Sequence, residues 1–133
     1  MILVDSSVWI DFFNQQQSSA NVKLTELLQD GIATVATADL VVFEVLRGFR
    51  SDRALQLARD FLLDLPSVEI GGIDNAVQAA AHDRALRAKG FTIASPIDVL
   101  LASYCITHGH TLLHRDADFD VMQTLRGLQT WPH

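Results

Sequence analysis

Cysteine is nearly absent from this 133-residue chain: Cys105 stands alone, so no internal disulfide can form, which fits a reducing compartment. It lies in the apolar run VLLASYCI, a setting for burial rather than reactivity. Positive charge is also scarce. Ten Lys and Arg face sixteen Asp and Glu, a formal charge of −6, which argues against a protein that holds nucleic acid on a broad basic surface. A nucleic-acid partner would need local help from a few arginines or a bound cation. No apolar run is long enough to cross a bilayer, and the start lacks the positive flank and small-residue cleavage site of a secretory signal. The expected location is cytoplasmic, away from membranes. Repeats and long linkers are missing too, and low complexity is confined to NQQQSS at 14–19, so one domain is expected over residues 1–133.

What the chain does have is 49% hydrophobic and 20% charged residues, the balance of a globular domain able to bury one core. Its periodicities alternate. A short apolar run, Ile2 to Asp5, precedes helical spacing from Ser6 to Asn14 and a second helix from about Ser19 to Asp30, stopped by Gly31. The segment IATVA reads as a strand, and Thr37 to Phe49 as a helix with Val42, Phe43, Leu46 and Phe49 on one face. Ser51 caps the next helix, which ends before Pro66. Val68 to Ile70 reads as a short strand, and Asp74 to Lys89 as an alanine-rich helix closed by Gly90. SPID at 95–98 carries a cap serine, a first-turn proline and an acid at the third position, the mark of a helix start. That helix reaches His108 and Gly109. The strand HTLLH, a short helix near Phe119 to Arg126 and an extended LQTW complete the chain. Strands alternating with helices predict an α/β domain with a mostly parallel central sheet flanked by helices.

In such sheets, ligands bind outside the carboxyl ends of the strands, where strand order reverses. Asp5 closes the first strand, and Asp116 follows HTLLH after a single arginine. Glu44 in FEVLRG and Asp98 in SPID sit on helices expected to flank that edge, so a parallel sheet lets all four acids converge. Each also has a plainer explanation. Asp98 completes a cap, Asp116 with Asp118 and Asp120 forms a solvated turn, Glu44 lies on a helix surface, and Asp5 or Ser6 caps the following helix. Two details favour convergence: LVVFEVLRGF is otherwise apolar, and Gly48, one turn past Glu44, costs about 1 kcal/mol relative to alanine inside a helix and so calls for a packing or access reason.

Carboxylates gathered within a few ångströms repel one another unless protons or a cation neutralise them. Mg²⁺ or Mn²⁺ suits an all-oxygen donor set and lets an acidic protein accept phosphodiester oxygens, with water activated by the ion as nucleophile. Other chemistries lack an anchor. The five histidines form no zinc pattern, with His108 and His110 merely straddling Gly109, and CxxC, HExxH, GxSxG, GKT and GxGxxG are all absent. An aspartyl-phosphate mechanism would need a lysine at a strand end, and Lys23 and Lys89 are the only lysines.

Taken in order, ILVDSSVWID, FEVLRG, SPIDVLLASY and LLHRDADF resemble the PIN domains, and within them the VapC-type toxins of prokaryotic type II toxin-antitoxin modules, across essentially the whole chain. The resemblance implies that Asp5, Glu44, Asp98 and Asp116 form a catalytic, metal-holding pocket for Mg²⁺ or Mn²⁺. Ser6 would support it through a hydrogen bond, and Asp118 would contribute from outside. It further implies an endoribonuclease that hydrolyses RNA phosphodiester bonds, forms homodimers, and is inhibited by a cognate antitoxin in a hetero-oligomer. Arg47, Arg50 and Arg115 are either RNA-phosphate contacts or ordinary surface and ion-pair residues. Val8, Trp9, Phe12 and Phe13 offer apolar surface divided between the core and an antitoxin helix. The alternative of a different class is a non-catalytic acidic-pocket module that receives a basic residue from a protein partner.

Overall fold

Ile2, Leu3 and Val4 are at most 3% exposed, so this strand has both faces covered, as an unbroken apolar run in a parallel sheet requires. In the computed structural model, which describes Met1–Pro132 and leaves His133 outside the described residues, that strand is β1 (Ile2–Val4). It is followed by α1 (Ser6–Phe13), α2 (Ser19–Asp30), β2 (Val35–Ala38), α3 (Asp39–Leu46) and α4 (Asp52–Leu63). Then come β3 (Ser67–Val68), α5 (Ile73–Ala88), α6 (Pro96–His108), β4 (Thr111–Leu113), α7 (Ala117–Arg126) and β5 (Gln129–Thr130). All five described strands are parallel, in the order β3-β2-β1-β4-β5. The chain builds one half outward from β1 and the other outward from β4, so the order reverses at the β1–β4 pair. There Val4 lies opposite Leu113, and the Asp5 N–H donates to the Leu113 carbonyl at 3.0 Å, carrying the ladder up to the carboxylate.

Helices cover both faces, and the core joins Leu3, Trp9, Leu24, Leu101, Leu112 and Phe119, each fully buried. Cys105 is in that core at 1% exposure, where burial pushes its thiol up to about 12 and leaves it inert. Several ends follow the sequence signals: Ser51 Oγ accepts the Ala54 N–H, and Gly31 and Gly109 close α2 and α6 at φ 64° and 69°, where a Cβ would be strained.

Three boundaries differ from expectation. The helix read as Thr37 to Phe49 spans only Asp39–Leu46, because Thr37 and Ala38 pair with Ser67 and Val68 and extend β2 instead. The strand read as IATVA starts at Val35, and Ile32 is 87% exposed. The strand read as Val68 to Ile70 is Ser67–Val68, since the Ile70 N–H is taken by Asp39 Oδ1 at 2.7 Å rather than by a neighbouring strand. Gly48 lies in the turn after α3, not inside it. A Cβ there would meet only the Val45 carbonyl at 3.6 Å, so the glycine clears no room for Glu44.

Candidate active site

The chain leaves β1 through Asp5, 3% exposed, and enters α1 with two serines. Asp5 holds the N-cap position but makes no side-chain capping bond; its Oδ2 accepts instead from Ser7 Oγ at 2.5 Å, and its buried Oδ1 has no hydrogen-bond partner. Burial pushes this carboxyl above the ordinary range. The Ser7 hydroxyl and the backbone amides of Ser6 and Ser7 pull it back, and Asp116 pushes it up further. Ser6, 8% exposed, points elsewhere: its Oγ donates to Glu44 Oε1 at 2.9 Å, fixing a half-buried glutamate of α3 to the start of α1.

Asp98 enters from the first turn of α6 at 9% exposure. Ser95 holds the cap position with no side-chain capping bond, so the expected capping box is not formed, and Asp98 stands in the first turn without a capping bond of its own. Its carboxyl is pushed up from 3.8 to about 7, first by burial and then by the charges of Asp5, Glu44, Asp116 and Asp118. Four acids from three other stretches of chain therefore act on Asp98. Asp116, exposed, caps α7 by accepting the Asp118 N–H at 2.9 Å, and Asp118 Oδ2 in turn accepts the Ala94 N–H at 3.4 Å, holding the loop before α6.

The arginines that neighbour the site acids in sequence divide. Arg115 is engaged by Asp11 of α1 through Nε to Oδ2 at 2.8 Å and Nη2 to Oδ1 at 3.3 Å, which is the ion-pair option. Arg47 is exposed, with its guanidinium 5.6 Å from the Phe43 ring centre, and Arg50 is exposed. Two residues were missed by sequence reasoning. Ser7 holds Asp5, and the signal was the doubled serine in VDSSV; Asp11 pairs with a residue 104 positions away and had no local signal.

As donors, these carboxylates suit a hard divalent cation: all are oxygen ligands, the charges of the others push Asp98 up, and Asp5 Oδ1 is buried without a partner. Among the described residues, no group of three His, Cys, Asp or Glu side chains is arranged to hold a metal ion as it stands. The PIN domain profile matches residues 2–125. A VapC ribonuclease of Mycobacterium bovis (strain ATCC BAA-935 / AF2122/97) is 35% identical over 129 residues, covering 97% of this chain and 96% of its own. The chain belongs to the PIN-domain family, in its VapC branch. Ribonuclease VapC11 of Mycobacterium tuberculosis (strain ATCC 25618 / H37Rv) matches this VapC-type PIN domain with the same identity and coverage. Two solved structures share the fold. VapBC2 from Rickettsia felis, bound to a DNA fragment from their promoter, superposes with a TM-score of 0.76 at 19% identity, covering 98% of each chain. VapC20 of Mycobacterium tuberculosis, a sarcin-ricin loop cleaving toxin, gives 0.70 at 19% identity over 90% of this chain and 93% of its own. No helix among the described residues of this VapC-type domain is long and apolar enough to cross a membrane.

Proposed function

We propose that this VapC-type PIN domain is a metal-dependent endoribonuclease, the toxin of a toxin-antitoxin pair, with Asp5, Glu44, Asp98 and Asp116 holding Mg²⁺ or Mn²⁺. The observation that carries the reading is Asp98: a nearly buried carboxyl pushed to about 7 by burial and by the other acids, at the strand-order reversal. A packed core has no use for such a cluster, whereas a dication relieves both its burial and its repulsion. When bound, the ion supplies Lewis-acid stabilisation of phosphate oxygens and lowers the pKa of water. The chain does the rest. Ser7 holds Asp5 through Oδ2 and leaves Oδ1 without a partner, Ser6 fixes Glu44, and Asp118 braces Asp116 at the head of α7. Of the three arginines beside the site motifs in sequence, Arg47 and Arg50 are exposed and make no ion pair among the described residues, and they are the ones offered to RNA phosphates, since Arg115 is committed to Asp11.

On this reading the antitoxin covers the groove lined by α1, α2 and α4. Val8 and Trp9 are fully buried and belong to the core, while half-buried Phe12 and Phe13 join Phe49, Leu57 and Phe61 around a groove of about 750 Å³. Leu57 is 64% exposed and Phe61 37%, apolar surface suited to an amphipathic helix. Pairing of two copies, in the cytoplasm, completes the proposal.

RNA cleavage by purified protein with Mg²⁺, with Mn²⁺ and with chelator, beside Asp98→Asn, tests the mechanism. Cleavage should require the ion and be lost in the variant. Persistent cleavage in chelator, or full activity in Asp98→Asn, overturns it. A metal-independent tight complex with a basic protein and no cleavage would instead select the binding-module alternative.

A further inference from the structure

The apolar strand β4 continues into a histidine that the site as described does not use. Leu112 and Leu113 are fully buried and His114 is 3% exposed, so a ring with two polar nitrogens has been carried into the core one step before the acidic edge. Both nitrogens face α7 and the turn that leads into it. The Asp116 backbone N–H donates to Nδ1 at 3.2 Å, and Nε2 lies 3.7 Å from Asp120 Oδ1. The ring packs on Phe119, with centres 5.0 Å apart and planes tilted by 49°. An Nδ1 that accepts a hydrogen bond carries no proton, so the neutral ring bears its hydrogen on Nε2, toward the Asp120 carboxylate. Neither leucine nor phenylalanine at this position would offer an acceptor to the Asp116 amide.

That amide belongs to the one acid of the pocket that is open to solvent. Asp116 has no burial to hold it, and its Oδ1 is directed by the Asp118 N–H at 2.9 Å. Two bonds thus fix it: one from the backbone to His114, one from the side chain to the first turn of α7. We propose that His114, as the Nε2–H tautomer, is a positioning residue that aims the Asp116 carboxylate into the pocket. The inference rests on the metal-dependent reading of that pocket. It makes the histidine of LLHRDADF part of the machinery rather than filler.

The test compares His114→Leu, which keeps bulk and loses the acceptor, with His114→Asn, whose amide oxygen stands where Nδ1 does. Cleavage and Mn²⁺ affinity, measured separately, should each fall by about 10–100-fold in His114→Leu and return to within about 5-fold of the parent in His114→Asn. In the metal-free parent, the imidazole nitrogen NMR spectrum should show a proton on Nε2 and none on Nδ1, and the Asp116 amide resonance should move in His114→Leu. A proton on Nδ1, an unmoved Asp116 amide, or equal losses in the two variants overturns the proposal. A parent that neither cuts RNA nor binds Mn²⁺ overturns the functional reading instead, and the tautomer and amide spectra still decide whether His114 holds Asp116.

Discussion

β1 and β4 lie side by side, run in parallel, and each delivers an aspartate to the same edge and then starts a helix, yet the two strand ends are built differently. Asp5 is 3% exposed, has one oxygen without a partner, and carries a carboxyl pushed up by burial while making no capping bond. Asp116 is exposed and caps α7. The difference separates two kinds of acid. Asp5 costs stability where it stands, so its presence calls for a function; Asp116 repays its place structurally whether or not an ion is bound. A site that joins one of each has a fixed floor and a wall that local hydrogen bonds must hold.

The largest expected effect breaks the two apart. Asp5→Asn and Asp116→Ala should each lower cleavage by about 100-fold or more, because each removes one charged oxygen donor from the same pocket. Their effects on the metal-free fold should have opposite signs. Asp5→Asn removes a buried charge and should raise Tm, whereas Asp116→Ala loses a helix cap worth about 1 kcal/mol and should lower it by about 5 °C. Thermal melts in chelator decide, and shifts of the same sign would end the distinction.

Next in size is the pH dependence that the buried side imposes. Asp98 has a folded-state pKa of about 7 against an ordinary 3.8, so the folded protein holds this proton more tightly than the unfolded chain does. Its contribution to stability is therefore complete below the ordinary value and is lost as pH rises through about 7. Melts in chelator between these limits should show the parent losing stability relative to Asp98→Asn, with the gap widening toward pH 7 and above. Added Mn²⁺ should raise the parent's Tm most at the alkaline end, where the carboxylates are free of protons, and should do much less in Asp98→Asn.

That four acids could meet at one edge was legible in the sequence because strand ends and helix starts are local features, and a parallel sheet sends consecutive strand ends to one edge. Their partners were less so. Ser6 and Ser7 are adjacent in the chain, but successive helical residues point about 100° apart, so one hydroxyl reaches Glu44 and the other Asp5. Nothing in VDSSV says which goes where. Trp9 and Phe12 are both aromatic residues of one helix, and only tertiary packing decides that the first is buried and the second lines a groove. The start of α3 was misplaced for a related reason: Thr37 and Ala38 fit a helix by spacing, and the β3 pairing that claims them lies about 30 residues on.

A smaller effect tests the brace between the two strand ends. Arg115, next to Asp116, reaches Asp11, a residue of the helix that Asp5 begins, so the pair ties the two segments together. Arg115→Ala would leave a side chain that is only 9% exposed with an unpaired charge; because Arg115 itself is 47% exposed, the loss should be about 1–2 kcal/mol, read by urea unfolding. Asp11→Asn with Arg115→Ala together should recover part of it, since the stranded charge is gone. Cleavage should fall less than in any pocket variant, because neither residue is among the four acids proposed to hold an ion.

The smallest effect concerns Glu44, the acid that comes from neither strand end. The sequence invites the idea that Gly48 keeps space open beside it. Gly48 sits past the end of α3, its φ is not in the left-handed range, and an added Cβ would meet nothing nearer than the Val45 carbonyl at 3.6 Å. Gly48→Ala should therefore be neutral or stabilising by about 0.5 kcal/mol, from the reduced freedom of the unfolded chain. It should also leave Mn²⁺ affinity unchanged. A tenfold loss of affinity at unchanged stability would show that Glu44 depends on room at this turn as well as on Ser6. The pocket would then have three differently built walls in place of two.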